Sequence, residues 1–196
     1  MNERDCYRGD GWGVPGEQSP EQERAEWNAD WTRVNTDRIP PRYREAAIDA
    51  EEVGTGLYLF GAVGSGKTYK AAGIMRAWIA AGARTRWVTV PTWLHDQRDS
   101  FASDETLETI ASITAGRLLV VDDIGVERAT DWALETLYVL IAEAYNNETP
   151  IVVTGNLTLA KLADRLGPRI VDRLVEVCRP VEMSGRSRRL PPRSAS

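Results

Sequence analysis

Lysine, histidine and cysteine are scarce in this sequence of 196 residues. There are three lysines, one histidine and two cysteines, and arginine supplies nearly all of the positive charge. A lone histidine, His95, and the absence of a CxxC pair argue against a zinc site, which needs about four clustered ligands. Cys6 and Cys178 are expected to be free thiols in a reducing compartment, which favours a cytoplasmic location.

Long apolar runs are also missing. No apolar stretch approaches the roughly 18 residues that a membrane-spanning helix needs, and the first residues are polar, so we expect neither a membrane span nor a signal peptide. The net charge is −5. An acidic domain binds nucleic acid poorly as a whole, so any such binding should come from a local basic patch. The length suits one α/β domain with short extensions.

A glycine-rich segment between a strand and a helix is the most informative stretch. It follows the apolar run Leu57–Phe60, precedes the helical-looking Tyr69–Ala81 and fits G-x4-G-K-[ST], the P-loop pattern. Its glycines let backbone N–H groups face a phosphate chain, Lys67 can reach the β- and γ-phosphates of ATP, and the Thr68 hydroxyl can ligate Mg²⁺. The predicted nucleotide-binding residues are Gly61, Ala62, Val63, Gly64, Ser65, Gly66, Lys67, Thr68 and Tyr69. The alternative is an ordinary glycine-rich turn before a helix.

A second apolar run, Leu118–Val121, ends in two carboxylates. It indicates a buried parallel strand that delivers Asp122 and Asp123 to the carboxyl edge of a sheet. Downstream of a P-loop, this pattern predicts a Walker B strand. Asp122 is predicted to hold Mg²⁺, largely through water, and Asp123 to orient or deprotonate the attacking water. The alternative is two solvated aspartates at a strand end.

The segment Pro150–Asn156 predicts another buried strand that ends in a polar residue. An amide at this strand tip, beside the Walker B strand, can sense the γ-phosphate and position the lytic water, so Asn156 is a candidate catalytic residue, and Thr154 could help. The alternative for Asn156 is a turn residue, or an N-cap of the helix that starts near Thr158.

Several flanking segments carry structural predictions. Asp37–Tyr43 is expected to be a rigid, extended lead-in, with a helix from Tyr43 to about Glu52. Leu157–Cys178 is expected to be helical with a break at Gly167 and Pro168, and Pro180–Met183 a short edge strand. The helical part carries Arg169 and Arg173, which are four residues apart and share a face.

The two ends of the chain leave alternatives open. A helix from Pro20 would place Trp27 and Trp31 on one face, which either packs on the domain or docks a partner protein. The arginine-rich tail after Met183 is expected to be disordered. It either keeps this end soluble or touches a nucleic-acid backbone.

Taken together and in this order, the motifs resemble the AAA+ ATPases of the replicative helicase loader group (DnaC/DnaI-like), with the IstB-type transposition ATPases as close relatives. The resemblance covers roughly residues 38–190. The segments that carry it are Pro40–Tyr43, Leu59–Thr68, Leu119–Gly125, Leu137–Tyr145, Pro150–Leu157 and Arg169–Leu174. The resemblance implies a P-loop NTPase of AAA+ type, an α/β three-layer sandwich around a five-stranded parallel sheet of order 5-1-4-3-2.

The same resemblance implies a function. It implies an ATP-dependent loader that uses ATP and Mg²⁺, docks on a hexameric replicative helicase and helps place it on single-stranded DNA. It also implies self-assembly through an arginine finger, for which Arg173 is the first choice and Arg169 the second; the alternative is two surface charges. Asp123 stands where a glutamate is usual, so turnover is expected to be slow and partner-stimulated.

Two other functions stay open. One is a transposition-accessory ATPase, and the other is a nucleotide-gated adaptor with negligible turnover. The predicted domain organisation is an N-terminal extension over residues 1–37 that could dock a partner, an AAA+ domain over residues 38–190 and a disordered tail over residues 191–196.

Overall fold

A computed structural model describes residues 29–47, 56–99, 105–126 and 129–184. Four of the sequence predictions fall outside these residues. They are the free thiol at Cys6, the helix start at Pro20, the placement of Trp27 and the C-terminal tail.

Five parallel strands form the central sheet. Their bounds are Gly56–Phe60 (β1), Thr85–Thr89 (β2), Leu118–Ile124 (β3), Ile151–Gly155 (β4) and Cys178–Glu182 (β5). The order β2-β3-β4-β1-β5 confirms the predicted 5-1-4-3-2 arrangement read from the other edge. The three inner strands are almost entirely buried, because both faces of the sheet are covered; this explains their unbroken apolar sequences.

Helices cover both faces of this sheet. Their bounds are 29–36 (α1, its described part), Lys67–Ala80 (α2), Val90–Asp99 (α3), Glu105–Thr114 (α4), Asp131–Asn146 (α5), Leu159–Leu166 (α6) and Pro168–Val177 (α7). One hydrophobic core lies between the sheet and helices α3 to α7, and a second lies between the sheet and α2. The predicted three-layer sandwich is therefore confirmed. Within the described ranges, no helix is long and apolar enough to cross a membrane.

The lead-in to the sheet differs from its prediction. Instead of an extended segment followed by a helix, the chain turns at residues 37–39 and forms a short 3-10 helix, Pro41–Tyr43; residues 44–47 are not helical. Ile39 is fully buried, and Arg44 Nε and Arg76 Nη1 donate hydrogen bonds of 3.2 and 2.8 Å to the carbonyls of Ile39 and Ala46. These tertiary contacts bend the segment onto the domain, and they override the local tendency of its two prolines.

Cys178 was expected at the end of a helix, and that expectation is wrong. Helix α7 ends at Val177 and β5 begins at Cys178, two residues before the predicted strand, because Cys178 pairs with Gly56 of β1. The thiol is free, buried and donates to the carbonyl of Ile151 at 3.4 Å. Burial raises the pKa of this thiol to about 12.

Candidate nucleotide-binding site

The loop between β1 and α2 has the backbone of a phosphate cradle. Gly61, Gly64 and Gly66 have φ values of 141°, 85° and 98°, a region that residues with a Cβ rarely adopt. A Cβ on Gly61 would also lie 2.4 Å from the carbonyl oxygen of Met183. The loop closes with a 3.2 Å hydrogen bond from Ser65 N–H to the Ala62 carbonyl, and α2 begins directly after Gly66. The glycine positions of the motif are therefore required by this fold.

Lys67 lies inside the curve of this loop. Its side chain is 5% exposed, and Nζ donates to the carbonyls of Gly61 and Ala62 at 2.9 and 2.8 Å. An ammonium held at these carbonyls is placed to meet an anion that enters the loop. The hydroxyl of Ser65 is also buried, and among the described residues it has no hydrogen-bond partner. A buried hydroxyl left without a partner is costly, and a phosphate oxygen would satisfy it.

Asp122 joins the P-loop to the neighbouring strands. The carboxylate is 4% exposed and accepts a 2.6 Å hydrogen bond from Thr154 Oγ1 on β4. The hydroxyl of Thr68, the P-loop residue that follows Lys67, lies close enough to this carboxyl to lower its pKa. The two predicted metal ligands, Thr68 and Asp122, are thus neighbours at this edge of the sheet. Hydroxyl and carboxylate oxygens are hard donors that suit Mg²⁺, so this pair fits the predicted ion.

The environment of Asp122 changes its acidity. Burial raises the pKa of its carboxyl to about 6, and the nearby charge of Asp123 adds to the rise. Hydrogen bonds from Thr154 and Thr68 and the charge of Lys67 oppose this effect. A carboxylate that is costly to ionise in a buried site is one that a bound cation would stabilise.

Asp123 occupies an irregular position at the end of β3. Its φ is 61°, and the pairing of β3 with β4 shifts register between Val121 and Ile124. Its backbone N–H donates to Thr154 Oγ1 at 3.0 Å, which holds the irregular backbone in place. The irregular backbone leaves Asp123 half-buried at the strand end, directly after the buried Asp122.

Asn156 follows β4 at the same edge of the sheet and is exposed. The N-cap of α6 is Thr158, whose hydroxyl accepts from Lys161 N at 3.5 Å, so Asn156 does not cap this helix. The preceding Gly155 is tightly packed: an added Cβ would lie 2.8 Å from the hydroxyl of Tyr58, which donates to the carbonyl of Leu157 at 2.7 Å. This packing fixes the point at which the chain leaves β4.

Comparison with protein families agrees with this geometry. Residues 45–196 match the model of the family described as IstB-like ATP binding protein. The chain belongs to this family. The IstB-like domain is also similar to two curated proteins and to one solved structure.

The replicative helicase loader DnaI of Bacillus subtilis is 24% identical over 151 residues, which are 70% of this chain and 49% of the relative. An IS21-like putative ATP-binding protein of Bacteroides fragilis is 27% identical over 139 residues, 68% of this chain and 52% of the relative. A crystal structure of the DnaC helicase loader has a TM-score of 0.57 and 26% identity, covering 85% of this chain and 92% of that one. The chain spans about half the length of the curated relatives it matches. The chain therefore contains an ATP-binding domain of the AAA+ type.

The candidate arginines of the IstB-like domain differ in their surroundings. Arg169, near the start of α7, is exposed. Arg173, one turn later, is half-buried, and its guanidinium carbon lies 4.6 Å from the centre of the Tyr145 ring on α5. Of the other predicted contact residues, Tyr69 is 38% exposed and its hydroxyl accepts from the Ala47 N–H of the lead-in at 3.4 Å.

The sequence prediction understated the role of Thr154. It was considered as a helper of Asn156, whereas its hydroxyl contacts both Asp122 and the backbone of Asp123. A polar residue that is fully buried in an apolar strand is the signal that points to such a role, because a buried hydroxyl requires partners.

Proposed function

We propose that this domain hydrolyses ATP with Mg²⁺ and couples the reaction to the loading of a hexameric replicative helicase onto single-stranded DNA. The observation that carries the chemistry is the 2.6 Å hydrogen bond from Thr154 to Asp122, together with the proximity of Thr68 to the same carboxylate, which brings the P-loop, β3 and β4 together at one edge of the sheet. The similarity to DnaI and to the DnaC loader supports the choice of partner.

Each residue of the site has a proposed task. The P-loop N–H groups and Lys67 would bind the β- and γ-phosphates, and Thr68 and Asp122 would hold Mg²⁺, whose positive charge would offset that of these phosphates. Asp123 accepts a proton from the attacking water or orients it, and the exposed amide of Asn156 positions this water near the γ-phosphate. Because aspartate is one methylene shorter than glutamate, the water sits less favourably and turnover is slow until a partner adjusts the site.

Self-assembly is part of the proposal. A guanidinium from a second copy would compensate the charge that spreads over the γ-phosphoryl oxygens during transfer. Arg173 remains the first candidate and Arg169 the second. Arg169 is exposed, whereas Arg173 packs on the ring of Tyr145. Replacing Arg173 should therefore change both stability and turnover, and replacing Arg169 should leave stability unchanged.

The domain division also remains a proposal. Residues 1–37 would dock the helicase, residues 38–190 form the ATPase domain and residues 191–196 a tail. The buried Asn35 ties the end of the extension to the ATPase domain, because its Oδ1 accepts a 2.8 Å hydrogen bond from Arg38 Nη1, and a docked partner would sense the nucleotide state through α1.

One specific observation favours a second candidate function. The similarity to an IS21-like ATP-binding protein covers nearly as much of the chain as the similarity to DnaI. A transposition-accessory ATPase would use the same nucleotide site and recruit a recombinase to duplex DNA. A nucleotide-gated adaptor would bind ATP and hydrolyse almost none.

The deciding experiment measures ATP hydrolysis alone, with single-stranded DNA, and with a hexameric helicase. We expect slow basal turnover that rises when both are added. Lys67→Ala should abolish most nucleotide affinity, whereas Lys161→Ala, an exposed lysine on α6, should not; Asp123→Asn should bind ATP but hydrolyse it slowly. Stimulation by duplex DNA without any response to helicase would favour the transposition function. Unchanged ATP affinity in Lys67→Ala would refute the P-loop assignment.

A further inference from the structure

Three arginines crowd the edge strand β2. Arg38 Nη1 donates to the carbonyl of Thr85 at 3.0 Å, and Arg86 Nη1 lies 3.5 Å from the same oxygen. Arg84, the residue before Thr85, is exposed. Two guanidinium groups therefore converge on one carbonyl with a third beside them, in a protein whose net charge is −5. We call Arg38, Arg84 and Arg86 the β2 arginine cluster.

The β2 arginine cluster has no acidic counterpart in the described part of the chain. The nearby carboxylates of Asp30 and Asp37 instead pair with Arg33 and Arg44. Partial burial lowers the pKa of Arg38 and of Arg86, and each is lowered further by neighbouring arginines of the cluster. Like charges held together without an acid are destabilising, and an anionic ligand would reverse that cost.

A cavity of about 380 Å³ adjoins the cluster, between the lead-in, β2 and α3. Its lining combines Arg38 with apolar side chains, among them Pro40, Trp87 and Trp93. The Trp93 side chain is 8% exposed, and its indole N–H has no hydrogen-bond partner among the described residues. Asp37 and Asp96 also line the cavity, but the Asp37 carboxylate is already paired with Arg44 at 3.2 Å.

We propose that this groove binds single-stranded nucleic acid, with one base in the cavity against Trp87 and Trp93 and the adjoining phosphates on the β2 arginine cluster. The inference rests on the proposed function, which names single-stranded DNA as a partner, and it assigns the surface that contacts it. Aromatic rings accept any base by stacking, and guanidinium groups pair with phosphate oxygens in a bidentate manner.

An acidic peptide is the main competing ligand for the cluster. It would use the arginines, but it has no flat ring to fill a cavity bordered by two tryptophans. A nucleic acid uses both features at once. A duplex fits poorly, because its bases are stacked and paired and cannot enter the cavity without being flipped out.

The test is fluorescence anisotropy of a labelled oligothymidylate with the full chain at several salt concentrations. We expect the double variant Arg84→Ala/Arg86→Ala to bind at least tenfold more weakly. Its salt dependence, log K against log salt, should be shallower by about 1.4, since each phosphate contact on a single strand contributes about 0.7. The matched control is Arg179→Ala, which removes an exposed arginine from the opposite edge strand β5.

A second variant distinguishes the contribution of the cavity to strand binding from the contribution of the arginine charges. Trp87→Leu should weaken binding about tenfold without changing the salt slope, because stacking carries no counterion release. All variants are first checked for wild-type ATP affinity and for a cooperative thermal transition. Ultraviolet crosslinking of an iodouracil-substituted strand should map to Trp87 or Trp93.

The outcomes distinguish this inference from the proposed function. If the wild-type chain binds the strand but the double variant binds as tightly as Arg179→Ala, the groove is the wrong surface and the proposed function stands. If the wild-type chain binds ATP but binds no single-stranded DNA, with or without helicase, the groove inference is wrong. The proposed function is then also wrong in naming single-stranded DNA as a partner. Equal competition by polyglutamate and by an unlabelled strand would overturn the nucleic-acid assignment in favour of an acidic peptide.

Discussion

The hydroxyl of Thr154 donates a 2.6 Å hydrogen bond to Oδ1 of Asp122 and accepts one of 3.0 Å from the N–H of Asp123. One buried hydroxyl on β4 therefore fixes both acidic residues of β3. The side chain of Thr154 is fully buried, so water cannot replace it if the hydroxyl is lost.

Thr154→Val removes this hydroxyl while keeping the shape of the side chain. We expect the free energy of unfolding to fall by about 1–3 kcal/mol, because the Asp123 N–H and the Asp122 carboxylate lose a partner in a buried site. ATP hydrolysis should slow about tenfold, with a smaller change in ATP affinity. Urea denaturation and steady-state kinetics measure the two effects. Thr154→Ser is the matched control, since it retains the hydroxyl; a valine variant that hydrolyses ATP at the wild-type rate would contradict the positioning role.

The acidity of Asp122 predicts a pH dependence of stability. Its pKa is about 6 in the folded protein and 3.8 in its ordinary state, so between about pH 4 and 6 the folded protein binds more protons than the unfolded one. The contribution of this group to the free energy of unfolding therefore falls as pH rises through this window, by roughly 3 kcal/mol at most. Asp122→Asn should be more stable than wild type above pH 6, and the difference should shrink towards pH 4.

Thermal unfolding at several pH values without nucleotide measures this difference. Asp123→Asn serves as the control and should keep the pH dependence, shifted slightly to lower pH because one neighbouring negative charge is removed. A constant stability difference between Asp122→Asn and wild type over the whole window would show that Asp122 has an ordinary pKa. Addition of Mg²⁺ and ATP should stabilise wild type more than Asp122→Asn.

The inner strands and the P-loop could be predicted from the sequence, because an unbroken apolar run and a G-x4-G-K-[ST] segment between a strand and a helix are each compatible with few structures. Two features could not. The transition from α7 to β5 at Cys178 has no turn residue, and it depends on pairing with Gly56, which is distant in sequence. The left-handed backbone of Asp123 depends on a hydroxyl from another strand. Both are set by tertiary contacts, which local patterns do not encode.

Gly155 is expected to be intolerant of a side chain. A Cβ there would lie 2.8 Å from the hydroxyl of Tyr58 and 3.1 Å from the carbonyl oxygen of Ile124. We expect Gly155→Ala to lower the free energy of unfolding by about 1–3 kcal/mol, as overpacking does in other cores. Removing the hydroxyl with Tyr58→Phe should relieve part of the strain, so the double variant should lose less than the sum of the single losses. Strict additivity in chemical denaturation would show that the two groups do not compete for space.

Arg173 offers the sharpest test of self-assembly. If it reaches the nucleotide of a second copy, Arg173→Ala should keep ATP affinity but lose the rise of specific ATPase activity with protein concentration. The variant should also lose about 0.5–1 kcal/mol of stability, because its cation no longer lies over Tyr145. Arg173→Lys separates the two roles, since lysine keeps a cation over the ring but lacks the planar fork that pairs with phosphate.

The lysine variant should therefore recover stability and not turnover. Arg169→Ala tests the second candidate in the same concentration series, and it should leave stability unchanged because this side chain is exposed. Exposed Arg179 on β5 provides the matched alanine control. Recovery of both stability and turnover in Arg173→Lys would reduce Arg173 to a packing role on α5. If only Arg169→Ala loses the rise of specific ATPase activity with protein concentration, Arg169 at the start of α7 is the arginine finger.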